Sequence, residues 1–87
     1  MDSAREADEI VRKGEELYDR EIREKVEQGN HGRFVVIDIT SGDYEVADED
    51  LAASERVIAR HPQALLYGIR IGYPAALRIG FRDGAVE

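Results

Sequence analysis

Apolar residues recur at spacings of three and four along the first quarter of the chain: Ala4, Ala7, Ile10, Val11, Gly14, Leu17, Tyr18, Ile22 and Val26. At about 100° per residue these positions share one half of a helix. Glu, Asp, Lys and Arg fill the other half, with i,i+4 pairs Asp8/Arg12, Glu9/Lys13 and Glu21/Lys25. Ser3 followed by Glu6 is a capping-box pattern, and "QGNHG" (28–32) supplies residues suited to ending a helix. The spacing therefore predicts a helix over 3–28. A glycine inside a helix costs about 1 kcal/mol against alanine, so Gly14 is expected to mark a close backbone approach.

The period then falls to two. Phe34–Thr40 and Asp43–Ala47 read as strands joined by a Ser41-Gly42 turn, with Ile39 opposite Tyr44 and Ile37 opposite Val46. Val35, Ile37, Ile39, Tyr44 and Val46 would share the core face. Asp38 and Glu45 would oppose each other on the other side, with Phe34 and Val36. Asp48 reads as the N-cap of a second helix, with Glu49 and Asp50 in its first turn. Leu51, Ser54, Val57 and Ile58 would form its apolar face, and Pro62 would stop it. Leu65–Ile71 and Ala75–Arg82 alternate as two further strands around "GYP" (72–74).

This order, α-β-β-α-β-β, predicts an α+β fold. A mainly antiparallel four-stranded sheet would be covered on one face by the helices, in two layers, with a long amphipathic N-terminal helix. The 87 residues allow one domain: the helix at 3–28, a ββαββ core over 33–82 and a frayed tail at 83–87. A short chain buries a thin core, which favours a sheet covered on one face. The first helix is also longer than such a sheet, so part of its stripe is expected to project. A two-fold homodimer through Ile10, Gly14 and Leu17 would cover it.

Charge adds an asymmetry to this outline. The chain carries −7 overall and 36% charged residues. Its middle is divided: Asp38 to Glu55 holds seven acids and no Lys or Arg, whereas Arg56 to Arg82 holds five arginines and no acid. The net charge argues against non-specific nucleic-acid or anionic-membrane binding. Cys is absent, which removes a thiolate nucleophile, a disulfide framework and a cysteine zinc site. The first residues lack the pattern of a signal peptide, and no apolar run is long enough to span a bilayer. A cytoplasmic location is expected.

Candidate chemistry is sparse. Counted from Asp38, the acidic segment places the glycine of a calcium-binding loop one position early. Turn, cap and dipole preferences account for Asp43, Asp48, Glu49 and Asp50. Asp38 and Glu45 are different, because like charges opposed across a hairpin require a nearby cation. Arg70, Arg78 and Arg82 alternate onto one side of the last two strands and are the expected source. Together with Tyr73 they form a candidate surface for a carboxylate or phosphate partner. His31 and His61 each lie just beyond a helix without a metal-ligand spacing, and no serine has the context of a nucleophile elbow. Neither a metal nor an organic cofactor is expected.

The segments "IDITSGDYE" (37–45), "LAASERVIARHP" (51–62) and "YGIRIGYPA" (67–75) resemble motifs of a family of small bacterial proteins without an assigned activity. The matching residues include Asp38, Gly42, Asp43, Tyr44, Glu45, Arg60, His61, Pro62, Arg70, Gly72, Tyr73 and Pro74. Ser41-Gly42 replaces the Thr-Gly turn of the family pattern. Genes for similar proteins often lie beside one for a retropepsin-like aspartic protease. The resemblance thus implies an antitoxin-like or regulatory member of a two-gene operon, with that neighbour as a protein partner. The expectation is a non-enzymatic protein-interaction module. The alternatives are a nucleic-acid-binding regulator using the arginine face and, less favoured, a hydrolase using Asp38 and Glu45 as paired acids.

Overall fold

The computed structural model describes residues 3–73 and 76–80. The N-terminal segment is one helical rod: α1 (Ser3–Leu17), a π-helical turn (Tyr18–Ile22) and α2 (Arg23–Val26). The π turn has a reason in the sequence. The buried positions are Ile10, Gly14, Tyr18, Ile22 and Val26, a strict four-residue spacing. An α-helix has about 3.6 residues per turn, so by Val26 such a stripe would have rotated by roughly 160°. The wider turn, closed by the Arg23 N–H donating to the Tyr18 carbonyl, recovers much of that rotation. Ile22 and Val26 thereby remain on the sheet.

Strands β1 (Phe34–Asp38), β2 (Tyr44–Ala47), β3 (Leu66–Arg70) and β4 (Ala76–Gly80) form a sheet in the order β2-β1-β3-β4. Each neighbouring pair is antiparallel, and α3 (Asp50–Arg60) lies between β2 and β3 in the chain. The α+β class and the antiparallel pairing are as the alternation predicts. The layering is not. Because β2 and β3 flank β1, the connection between them must cross over β1, and α3 packs there against β1 and β2. The rod takes the opposite face, so the sheet is covered on both sides.

Two apolar clusters record this. Val35, Ile37, Tyr67, Ile69 and Ile71 meet Ile10, Tyr18, Ile22 and Val26 of the rod. Val36, Ala47 and Leu66 meet Ala53 and Val57 of α3, with Ala64. Val36, expected on the solvent side, is fully buried. The face of α3 is also rotated from expectation. Ala53, Ser54 and Val57 face inward, whereas Leu51 and Ile58 are 58% and 43% exposed. Small side chains let the helix lie close to the sheet, which displaces the larger ones outward.

The β1–β2 register differs from the two-residue turn. Val36 pairs with Glu45 and Ile37 with Tyr44, a shift of two, so every side chain keeps its predicted face while the loop lengthens to 39–43. Asp48 does not cap α3: it pairs with Arg33 at 2.8 Å, and Glu49 occupies the cap position. The expected tail at 83–87 and the last two residues of the fourth predicted strand lie outside the described residues.

Gly14 does mark a close approach, but to its own sheet. A Cβ there would stand 2.7 Å from Tyr67 Cβ and closer still to the ring. Ile10 is 1% exposed, Gly14 is buried, and Leu17 packs against the core. The dimer interface expected through these three residues is therefore filled from within the chain. Gly14→Ala should destabilise the fold by about 1–3 kcal/mol despite the better helix propensity of alanine. Urea unfolding would measure the loss, and trimming the ring in Gly14→Ala/Tyr67→Leu should recover part of it relative to Tyr67→Leu alone.

Candidate functional site

The β1–β2 loop is built around one carboxylate. Asp38 is 1% exposed at the end of β1. Its Oδ1 accepts the Thr40 hydroxyl at 2.7 Å and the backbone N–H groups of Thr40 and Leu65 at 3.1 and 3.3 Å. Its Oδ2 accepts the Ser41 hydroxyl at 2.8 Å. Burial alone would raise this carboxyl, but the donated bonds outweigh it and hold the group below its ordinary value. Gly42 closes the loop at φ +84°, with its N–H on the Asp38 carbonyl at 2.7 Å.

Asp43, at the far end of that loop, joins the hairpin to the C-terminus of α3. Its Oδ2 accepts Arg60 Nε at 2.7 Å and lies 2.9 Å from His61 Nε2. Arg60 Nη1 reaches Glu45 at 2.6 Å, and Arg56 approaches the same carboxylate at 3.9 Å. The bonds from Arg60 and then His61 hold Asp43 down to about 2. The guanidinium is held more firmly protonated by the same bonds. His61 Nδ1 lies 3.9 Å from Asp38 Oδ2, so the histidine stands between the two aspartates. An open hollow of about 420 Å³ lies over Asp38, Thr40, Ser41, Arg60 and His61.

Glu45 is thus answered by Arg60 and Arg56 of α3 and not by Arg70, while Asp38 is met by hydroxyl and backbone N–H donors. Asp38 and Glu45 do not oppose each other, because the shifted register sets Glu45 against Val36. The first two resembling segments, "IDITSGDYE" and "ARHP", meet in this cluster. Sequence reasoning treated Asp43, Arg60 and His61 as turn and helix-end residues. Their charges and the shared end of α3 and the hairpin were the available signal.

Arg70 stands apart, at the other end of the α3 face. It is the cross-strand partner of Phe34, and its guanidinium lies 5.4 Å from the Phe34 ring centroid and 4.8 Å from that of Tyr73. Nε donates to the Gly32 carbonyl at 3.0 Å. Among the described residues no carboxylate pairs with Arg70. Tyr73 is 47% exposed and stacks obliquely on His31, at 5.8 Å between centroids. Gly72, at φ +94°, turns the chain here, where a side chain would strike the His31 ring. Arg78 stands opposite Gly68 on β4, and Arg82 lies outside the described residues.

No known family model, curated protein or solved structure matches the chain. Among the described residues no helix is long and apolar enough to cross a membrane, and no three His, Asp or Glu side chains are grouped to hold a metal ion.

Two outcomes follow for the loop cluster. Asp38→Ala would leave part-buried donors without an acceptor and free the loop they hold, and should cost roughly 2 kcal/mol in chemical unfolding. Asp43 is depressed from 3.8 to about 2, so its contribution is complete above the ordinary value and is lost as pH falls from about 4 towards 2. Asp43→Asn should flatten that part of the acid limb when unfolding is followed across pH. Salt should weaken the difference, because the pair is partly solvated.

Proposed function

We propose that this protein is a binding module that takes an acidic segment of a partner protein on the surface formed by Arg70, Phe34 and Tyr73. One observation carries the reading: an exposed guanidinium, held between two rings and by the Gly32 carbonyl, with its terminal amino groups directed to no described carboxylate. A guanidinium fixed in this way loses little entropy when a carboxylate docks bidentately. Arginine and tyrosine are also the residue types that carry most binding energy at protein interfaces. A retropepsin-like neighbour in the genome, which the sequence resemblance implies, would be one such partner.

Binding is preferred to catalysis because the Asp38–Asp43–His61 cluster is internally satisfied. The Ser41 hydroxyl donates to Asp38, whose lowered pKa makes the carboxylate a weak base, and not to His61. Arg56 and Arg60 are likewise engaged with Glu45 and Asp43. This withdraws these two cations from any nucleic-acid surface.

Affinity purification from the organism that encodes the protein would test this. A partner retained by wild type and by Arg56→Ala should fall about tenfold or more with Arg70→Ala and Tyr73→Ala, while Arg70→Lys restores it only in part. Equal retention by all variants would refute the site. Nucleic-acid binding that is tight at low salt and weakens steeply as salt rises would favour the regulator reading instead.

A further inference from the structure

Helix α3 lies towards one side of the sheet, against β1 and β2. On its β2 flank, Arg56 and Arg60 reach Glu45 and Asp43. Leu51 and Ile58 stand on the opposite flank, towards β3, seven residues apart and therefore in line along the helix. Both are exposed, as few large apolar side chains of the described residues are. Glu55 is four residues from one and three from the other, so all three share one face. It is exposed and has no ion-pair partner among the described residues. The small Ala52 and Ala59 lie beside it, where they would let another surface approach closely. The outer surface of α3 is therefore a lone acid set among apolar side chains.

Arg70 belongs to the same side of the molecule. The cross-strand row at its level runs Ala47, Phe34, Arg70, and Ala47 packs in the cluster under α3. Directly paired residues share a face of the sheet, so Arg70 stands on the α3 face. Only residues 48 and 49 separate β2 from α3, so the first turn of the helix, with Leu51, begins at this same end. One molecule thus presents, on one face, a cation on β3 and an anion on α3 that do not pair with each other. Glu55 lies on the outer surface of the helix, and Arg70 lies at the level of the sheet beside it.

We infer that the acidic segment received by the Arg70 surface is α3 of a second copy of this chain, a reading that rests on the Arg70 proposal and names its partner. A two-fold axis parallel to α3 sets the two helices side by side, with Leu51 and Ile58 of one copy against those of the other. Each helix then lies between its own β1 and β2 below and the β3 side of the other copy above. Glu55 of each copy faces Arg70 of the other. The contact is self-complementary, so the Arg70–Glu55 pair is made twice. Both charges gain a partner in a setting where a guanidinium is already held in place. The rod takes no part in it, in keeping with the filling of Ile10, Gly14 and Leu17 from within the chain.

Sedimentation equilibrium of the full chain tests the assignment, with a dimer dissociation constant of about 100 μM or tighter expected for a contact of this modest size. Glu55→Arg and Arg70→Glu should each weaken the dimer about tenfold or more, because each variant sets like charges together in both contacts. Mixed in equal amounts, the two variants should associate to within about threefold of wild type, since both contacts then join opposite charges. A purely structural role of either residue would not give that recovery. Leu51→Ser, at an exposed position, should also weaken the dimer about tenfold while leaving thermal unfolding of the monomer unchanged. A wild type that stays monomeric at about 1 mM, or variants that do not recover on mixing, would overturn the inference. In that event, loss of a partner by Arg70→Ala in the affinity purification would leave the Arg70 surface standing with a different protein as its occupant. Equal retention by all variants there would remove both readings.

Discussion

The carboxylate of Asp38 sets the register on which the rest of the sheet depends. Strand β1 is hydrogen-bonded along both edges and covered on both faces, with Val35 and Ile37 towards the rod and Val36 towards α3. A strand that is apolar on both faces has lost the alternation that usually prevents slippage. The restraint has to come from its end. Asp38 gathers Thr40, Ser41 and the Leu65 N–H, and so ties the loop and the start of β3 to one point. The burial of an acid here is offset by donors from two separate parts of the chain.

From that point the charged cluster extends outward through Asp43 to Arg60 and Glu45, and fastens the hairpin to the end of the crossover helix. These pairs are partly exposed, and each alone contributes little. Shared donors make them a geometric clasp more than a source of stability. The proposed Arg70 surface lies outside this clasp, on a guanidinium for which the described residues supply no carboxylate. Functional interest thus falls on Arg70, while the paired charges of Asp43, Glu45 and Arg60 fasten the hairpin to α3.

What was legible in the sequence divides along the same line. Period was enough for the helices, the strands and the faces of β1 and β2, because a shift of two residues leaves side-chain direction unchanged, but it missed the longer turn and the inward face of α3. The layers were not legible. Val36 reads as a solvent-facing position in a hairpin, and only the strand order, with β1 between β2 and β3, brings α3 over it. The site was partly legible. Asp38 and Glu45 were recognised as needing a cation, but Glu45 takes Arg60, whose position depends on that crossover, and Asp38 takes neutral donors instead. Tyr18 was read as core, which it is, and nothing in the sequence indicates that its hydroxyl lacks a partner.

Strand β2 has one edge without a neighbour in the sheet, and such edges invite pairing between molecules. This edge is four residues long, has Glu45 within it, and is bracketed by Asp43 and Asp48. Short length and charged side chains, here each set against an arginine, make such an edge a poor template for another strand. The acids that clasp the hairpin to α3 therefore also act as gatekeepers against aggregation. The cluster that fastens the hairpin to α3 is then also what guards its open edge.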